Sequence, residues 1–150
     1  MISKVTKRDV KIKKLDISEV KEMCKLNKIG GNCYDEEAQV LEFFDNEFQP
    51  ETVYVAKVND NYVGHLELFE GYKSSIGKFI LIRRLIVHPK WRKRGIGRIL
   101  LDFAIEECKR RKIKNLDLLV EHDNEIALNL YKNLGFKEVG HEIHMRKTIK

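Results

Sequence analysis

The chain has only two prolines, one tryptophan and three cysteines in 150 residues, and no apolar run near the ~20 residues that a membrane-spanning helix requires. No membrane partner is therefore expected. The basic amino terminus, MISKVTKRDVKIKK, has no apolar stretch behind it, so neither a secretory signal nor a targeting anchor is expected and the location reads as cytoplasmic. Cys24, Cys33 and Cys108 form no CxxC pair and lack a histidine at zinc-ligand spacing, so no metal site and no disulfide framework is expected. Two phosphate-binding motifs are also missing. No GxxxxGK[ST] loop occurs, and the one GxG pair, Gly95 and Gly97, has Leu100 where a dinucleotide fingerprint needs a third glycine.

What is present is the patterning of a globular protein, with 43% hydrophobic and 35% charged residues. No repeat or compositional break divides the chain, so residues 1–150 read as one domain. The net charge of +6 favours an anionic partner. Residues 8–15 alternate like a strand, and Asp16 or Ser18 caps a helix reaching about Leu26, followed by a loop over Asn27–Asn32. Helical spacing returns from Asp35 to Phe48 and stops at Pro50. Residues 52–58 and 62–69 form a hairpin through Asn59-Asp60-Asn61, and residues 78–88 a third strand ending at Pro89. A strongly amphipathic helix follows, with Ile96, Ile99, Leu100, Phe103, Ala104 and Cys108 on its apolar face. Residues 116–121 form a strand, 126–134 a short helix stopped by Gly135, and 136–149 two strands about Gly140.

The strand, helix, strand order over residues 78–121 implies a parallel crossover. The fold class is thus α+β, a mixed sheet of about seven strands flanked by about four helices. At its centre, HPKWRKRGIGRIL (His88–Leu100) crowds basic residues and glycines into a helix start. A helix amino terminus leaves N–H groups unpaired and carries the positive end of the macrodipole. Gly95 and Gly97 let a phosphate approach those amides, and Arg92, Lys93, Arg94 and Arg98 add charge. The stretch reads as a diphosphate cradle.

The segment LIVHPKWRKRGIG, its helix, and then LLVEHDNEIALNLYKNLGF resemble the GNAT superfamily of acetyl-coenzyme A-dependent N-acetyltransferases. The Q/RxxGxG/A signature is matched by Arg92, Gly95 and Gly97, and a second signature by Asn124, Ala127, Tyr131, Gly135 and Phe136. The resemblance implies a splayed strand pair holding acetyl-CoA as cosubstrate. Backbone groups of Leu85, Ile86 and Val87 would meet the pantetheine arm, and the amides of Arg92, Lys93, Arg94, Gly95, Ile96, Gly97 and Arg98 the diphosphate. Asn124 would contact the cofactor, and Tyr131 would act as general acid toward the departing sulfur. It also implies a homodimer through edge strands near the tail.

An amine with pKa near 10.4 is almost wholly protonated at neutral pH, so transfer needs a base, a water relay or desolvation. Two branches of the family place a glutamate where this chain has Leu119 or Leu81, which leaves Glu67, Glu121 or a water held by one of them as the base. The amphipathic position of Cys108 makes it a structural thiol and not an acetyl carrier, so direct transfer to a primary amine, on a small molecule or a protein, in a ternary complex is the expectation. As for Glu67, a strand-face residue shared with His65, the bland alternative is an exposed surface carboxylate. Two other functions compete. One is a basic nucleic-acid-binding module, which would use KWRKR and KRRKIK but lacks helix-turn-helix, zinc-finger and RNP patterns. The other is a coenzyme A-binding domain with little catalysis, suggested by the displaced base.

Overall fold

A computed structural model describes residues 3–29 and 52–150, which fall into two compact units, Met1–Leu118 and Leu119–Lys150. The first unit holds a five-stranded sheet in sequential order: β1 (Lys11–Lys14), β2 (Val53–Val58), β3 (Asn61–Lys73), β4 (Gly77–Val87) and β5 (Asn115–Leu118). The first four strands are antiparallel, and β5 runs parallel to β4 after the helix α2 (Ile96–Arg110). The expected crossover is present.

The β2–β3 hairpin turns through Asn59 (φ 47°) and Asp60 (φ 64°), the residue types that tolerate the left-handed conformation such a tight turn needs. Between β3 and β4 the register slips: Glu67 faces Arg84 but Leu68 faces Ile82, so Arg83 is an extra residue, a bulge. Side chains alternate across the sheet. Tyr54 and Leu66 lie on the face covered by α2, where the Tyr54 and Phe103 rings are 4.9 Å apart. On the other face, Val53 and Val55 pack with Leu15, Val20, Met23 and Cys24 beneath α1 (Val20–Ile29).

Asp16, not Ser18, starts the first helical segment. Its carboxylate accepts from the Ser18 N–H, while Glu19 reaches back to the Asp16 N–H, a capping box over a single 3-10 turn that leads into α1. The helix continues past Leu26 to Ile29, so the loop expected from Asn27 does not begin there. Asn27 is fully buried because its side chain has a partner inside. Its Oδ1 lies 2.8 Å from His65 Nε2, and the Tyr62 hydroxyl is 2.6 Å from His65 Nδ1. An amide oxygen can only accept, so Nε2 carries the proton and Nδ1 accepts from Tyr62.

In the second unit, α3 (Glu125–Asn133) is followed by a tail without strands. The two strands expected over 136–149 are therefore corrected. Val139, Ile143, Met145 and Ile149 do alternate with polar residues, but all are exposed, and side-chain alternation supplies no partner for backbone N–H and C=O groups. Among the described residues the structure has five strands and three α-helices, fewer than the seven and four expected. The helix expected over 35–48 lies outside the described residues.

Burial, reinforced by the charge of Arg84, pushes the His65 imidazole from 6.5 down to about 4. The folded state therefore binds this proton less readily than the unfolded chain, and the stabilisation is complete above pH 6.5 and lost as pH falls toward 4. Between pH 7 and pH 5 the histidine should cost about 2 kcal/mol of stability. Urea unfolding at the two pH values measures this loss, and His65→Gln should shrink it.

Candidate cofactor and active site

Strand β4 is served unequally on its two sides. Toward β3 it is paired along its whole length, from Gly77 opposite Lys73 to Val87 opposite Gly64. Toward β5 it is paired only from Phe79 to Ile82. Beyond Ile82 no strand among the described residues meets that edge, and the pairing stops next to the bulge at Arg83. β5 itself ends at Leu118, the residue opposite Ile82, and the bulge, which bends and twists its strand, follows directly on β4. Leu85, Ile86 and Val87 all lie in the one-sided portion. The His88 N–H is bonded to the Val63 carbonyl, so alternation turns the Ile86 groups toward β3 and those of Leu85 and Val87 outward. There Arg92 takes the Val87 carbonyl, and the remaining groups face the side on which an amide-bearing ligand would lie as an extra strand.

The chain then turns into α2. His88 caps a single 3-10 turn, Pro89–Trp91, through its Nδ1 and the Lys90 N–H at 3.2 Å. Lys93 (φ 60°) and Gly95 (φ 92°) take left-handed conformations on either side of Arg94. Gly95 is the N-cap of α2 and brings no side chain to cap it, and the Ile99 N–H is bonded to the Gly95 carbonyl. The amides of Ile96, Gly97 and Arg98 therefore remain unpaired at the positive end of a 15-residue helix. A β-carbon on Gly97 would come no nearer than 3.9 Å to Val87 Cγ2 and 4.0 Å to Leu85 Cδ2, ordinary contact. Packing within the protein does not demand this glycine. An anion drawn close to the helix amides would.

Of the cationic side chains expected around this turn, three have partners in the chain. Arg92 Nε donates to the Val87 carbonyl at 3.1 Å, the Arg94 guanidinium stacks 4.3 Å over the Trp91 ring, and Arg98 pairs with Asp102 at 3.1 Å. Lys93 is exposed, with no ion pair among the described residues. The turn is thus a backbone cradle whose arginines also brace it. The one-sided end of β4 and the first-turn amides of α2 both belong to the first unit.

Glu67 is buried, which corrects the exposed alternative. It stands beside the β4 bulge with its carboxylate 3.6 Å from Arg83 Nη1, and the Arg83 guanidinium in turn lies 4.0 Å over the Phe69 ring. No motif in the sequence flags Arg83; only the register slip brings it into the neighbourhood. On the same face of β3, His65 is buried and bonded as described above.

In the second unit, Glu121 is exposed in a turn whose side-chain oxygens and nitrogens at Glu121, His122 and Asp123 lie within 4.8 Å of one another. Asn124 caps α3 by accepting from the Ala127 N–H at 3.2 Å. The helix ends in a Schellman motif, with Phe136 N–H bonded to the Tyr131 carbonyl, Gly135 N–H to the Lys132 carbonyl, and Gly135 at φ 91°. The rings of Tyr131 and Phe136 meet edge to face at 5.7 Å, the apolar contact that accompanies such an end. The second signature therefore has a local structural meaning, and its Asn, Tyr, Gly and Phe define the two ends of one helix. Burial also raises the Tyr131 hydroxyl above its ordinary pKa and keeps it protonated at neutral pH. Cys108 is buried and its thiol is raised by burial, which disfavours the nucleophilic thiolate.

Residues 20–136 match the family model described as the Acetyltransferase (GNAT) family. An uncharacterised N-acetyltransferase of Methanocaldococcus jannaschii is 37% identical over 87 residues, covering 57% of this chain and 38% of its own length. The ribosomal protein bS18-alanine N-acetyltransferase of Salmonella typhimurium is 41% identical over 54 residues, covering 36% of each. The chain thus spans little more than a third of either relative. Among solved structures, the NatC complex bound to a Gag peptide and CoA gives a TM-score of 0.72 at 24% identity, over 88% of this chain and 87% of that one. With a family match that takes in the open strand edge, the uncapped helix and the α3 signature together, the chain belongs to the GNAT acetyltransferase family.

Proposed function

We propose that the protein transfers the acetyl group of acetyl-CoA directly to a primary amine, on a small molecule or a protein, with both substrates bound together. The observation that carries this reading is the coincidence of the unpaired β4 edge with three free amides at the start of α2. The coenzyme supplies an activated acyl thioester, so the protein need only orient an amine and manage protons. The outward backbone groups along Leu85, Ile86 and Val87 would hold the amide-bearing arm. The amides of Ile96, Gly97 and Arg98, with the turn from Arg92 to Gly95, would hold the diphosphate. Lys93, exposed and without an ion pair among the described residues, would add charge.

Glu67 is the better candidate for the general base, directly or through a water. It is buried at the bulge where β4 parts from β5, whereas Glu121 is an exposed turn residue. Tyr131 is the proposed acid toward the sulfur. Its phenol is protonated at neutral pH, as an acid must be, although burial raises its pKa and makes the proton harder to give up. Asn124 combines its cap with the proposed cofactor contact. The buried, protonated Cys108 favours direct transfer over an acetyl-cysteine intermediate. Relatives that acetylate a ribosomal-protein alanine support an amine on a protein as one acceptor class.

Release of free coenzyme A thiol over a panel of small amines and peptide amino termini tests the reading, and no release with any acceptor counts against it. Gly97→Ala should fold at least as well as the parent, because alanine is favoured over glycine in a helix by about 0.5–1 kcal/mol. It should nevertheless weaken coenzyme A binding about tenfold or more, since the methyl group occupies the approach to the amides; thermal melting and calorimetry on one sample check both. Tyr131→Phe should slow single-turnover transfer by about 100-fold, within the usual range for an acid catalyst, with little change in coenzyme A affinity. Glu67→Gln should lower kcat at neutral pH by a similar factor, and Glu121→Gln far less.

A further inference from the structure

The amino-terminal segment runs to the phosphate turn and is fastened there. The Val5 N–H donates to the Arg94 carbonyl at 2.8 Å, and Arg94 Nε donates to the Ser3 carbonyl at 3.0 Å. One residue of the turn is thus held on both its backbone and its side chain, by two residues far away in sequence, Ser3 at a separation of 91. The segment is itself fixed by a small local structure. The Asp9 carboxylate accepts from both the N–H (2.9 Å) and the hydroxyl (2.7 Å) of Thr6, while the Asp9 N–H donates to the Thr6 carbonyl at 3.0 Å. This turn redirects the chain into β1 and leaves Ser3–Val5 beside Arg94.

The clamped residue lies between Lys93 and Gly95, both left-handed. For a lysine that conformation is uncommon and persists where the surroundings dictate it. The Val5 carbonyl also lies 3.6 Å from the place a β-carbon on Gly95 would occupy. Gly95 is the N-cap of α2, so the segment abuts the residue from which the free amides start.

We propose that Ser3–Val5 is a strap that sets the phosphate turn, and that Arg94 is a positioning residue of the coenzyme site, acting through the strap and Trp91 and not by its charge. This rests on the acetyl-CoA reading given above. A preformed cradle binds more tightly because less order is imposed on binding, and the gain should be confined to the phosphorylated part of the ligand. The arm-binding edge at Leu85–Val87 is held by β3 and is independent of the strap.

Val5→Pro removes the N–H that reaches Arg94, and Arg94→Lys keeps the charge but loses both Nε–H and the planar group over Trp91. In the full chain, calorimetric titration with coenzyme A should show about tenfold weaker binding for each variant, and titration with pantetheine, which lacks the phosphates, should be unchanged within about twofold. Arg94→Lys provides the test should Val5→Pro not fold, which a thermal melt shows. Parent-like coenzyme A affinity in Arg94→Lys would overturn the proposal, because charge alone would then suffice. Equal weakening toward coenzyme A and pantetheine would overturn it too, as the mark of a merely structural role. Failure of the parent chain to bind coenzyme A would remove both this inference and the acetyl-CoA reading. Parent binding with indifferent variants would remove the strap alone.

Discussion

Backbone N–H and C=O groups must find partners, and the far end of β4 lacks a strand to supply them on one side among the described residues. The strand has two strand neighbours as far as Ile82 and, among the described residues, one beyond it. The Arg83 bulge marks the change. An extra residue on β4 alters its twist relative to β3, directly beyond the point where the short β5 ends at Leu118. The candidate site is built on this one-sided pairing. The edge it exposes ends at Val87, and the next eight residues turn the chain so that a second set of unpaired donors, at the start of α2, follows directly. Both are backbone features, so the site is specified by topology more than by side-chain identity.

Charge at the turn has a different purpose from that suggested by counting arginines. Arg92 returns to the Val87 carbonyl, Arg94 spans Trp91 and Ser3, and Arg98 pairs along the helix with Asp102. A guanidinium has five donors and can brace the chain with one while offering others. The field of the helix terminus then acts together with cations already fixed in place, and little reorganisation is left for a phosphate to impose. An exposed lysine such as Lys93, carried on a left-handed backbone, contributes charge without that fixed geometry.

Much of this was legible in the sequence because it rests on local rules. Asn59 and Asp60 signal a tight hairpin, the apolar face of α2 follows the helical period, and Gly135 marks a helix end that the structure closes with a Schellman motif. The start of α2 at Ile96, directly after the glycine at its N-cap, was legible for the same reason. What could not be read depends on pairing between distant segments. Asn27 has the composition of a loop but lies inside a helix, because His65, 38 residues on, receives its side chain. The tail alternates like a strand, yet alternation describes which way side chains point and not whether a neighbour exists. Arg83 looks like any strand arginine until the register of two strands is known.

The His65 arrangement also bears on the candidate base. His65 and Glu67 are two residues apart on one face of β3, and successive same-face positions lie roughly 7 Å apart. A protonated imidazole at that distance would be a second cation competing with Arg83 for the carboxylate. Burial and the nearby Arg84 keep the ring neutral, and its two nitrogens are committed to Tyr62 and Asn27. Glu67 keeps Arg83 as an ionic partner, itself anchored over Phe69. The buried polar network thus does more than tie α1 to the sheet. By holding a histidine neutral through the physiological range, it keeps the electrostatic surroundings of the adjacent carboxylate constant over the same range.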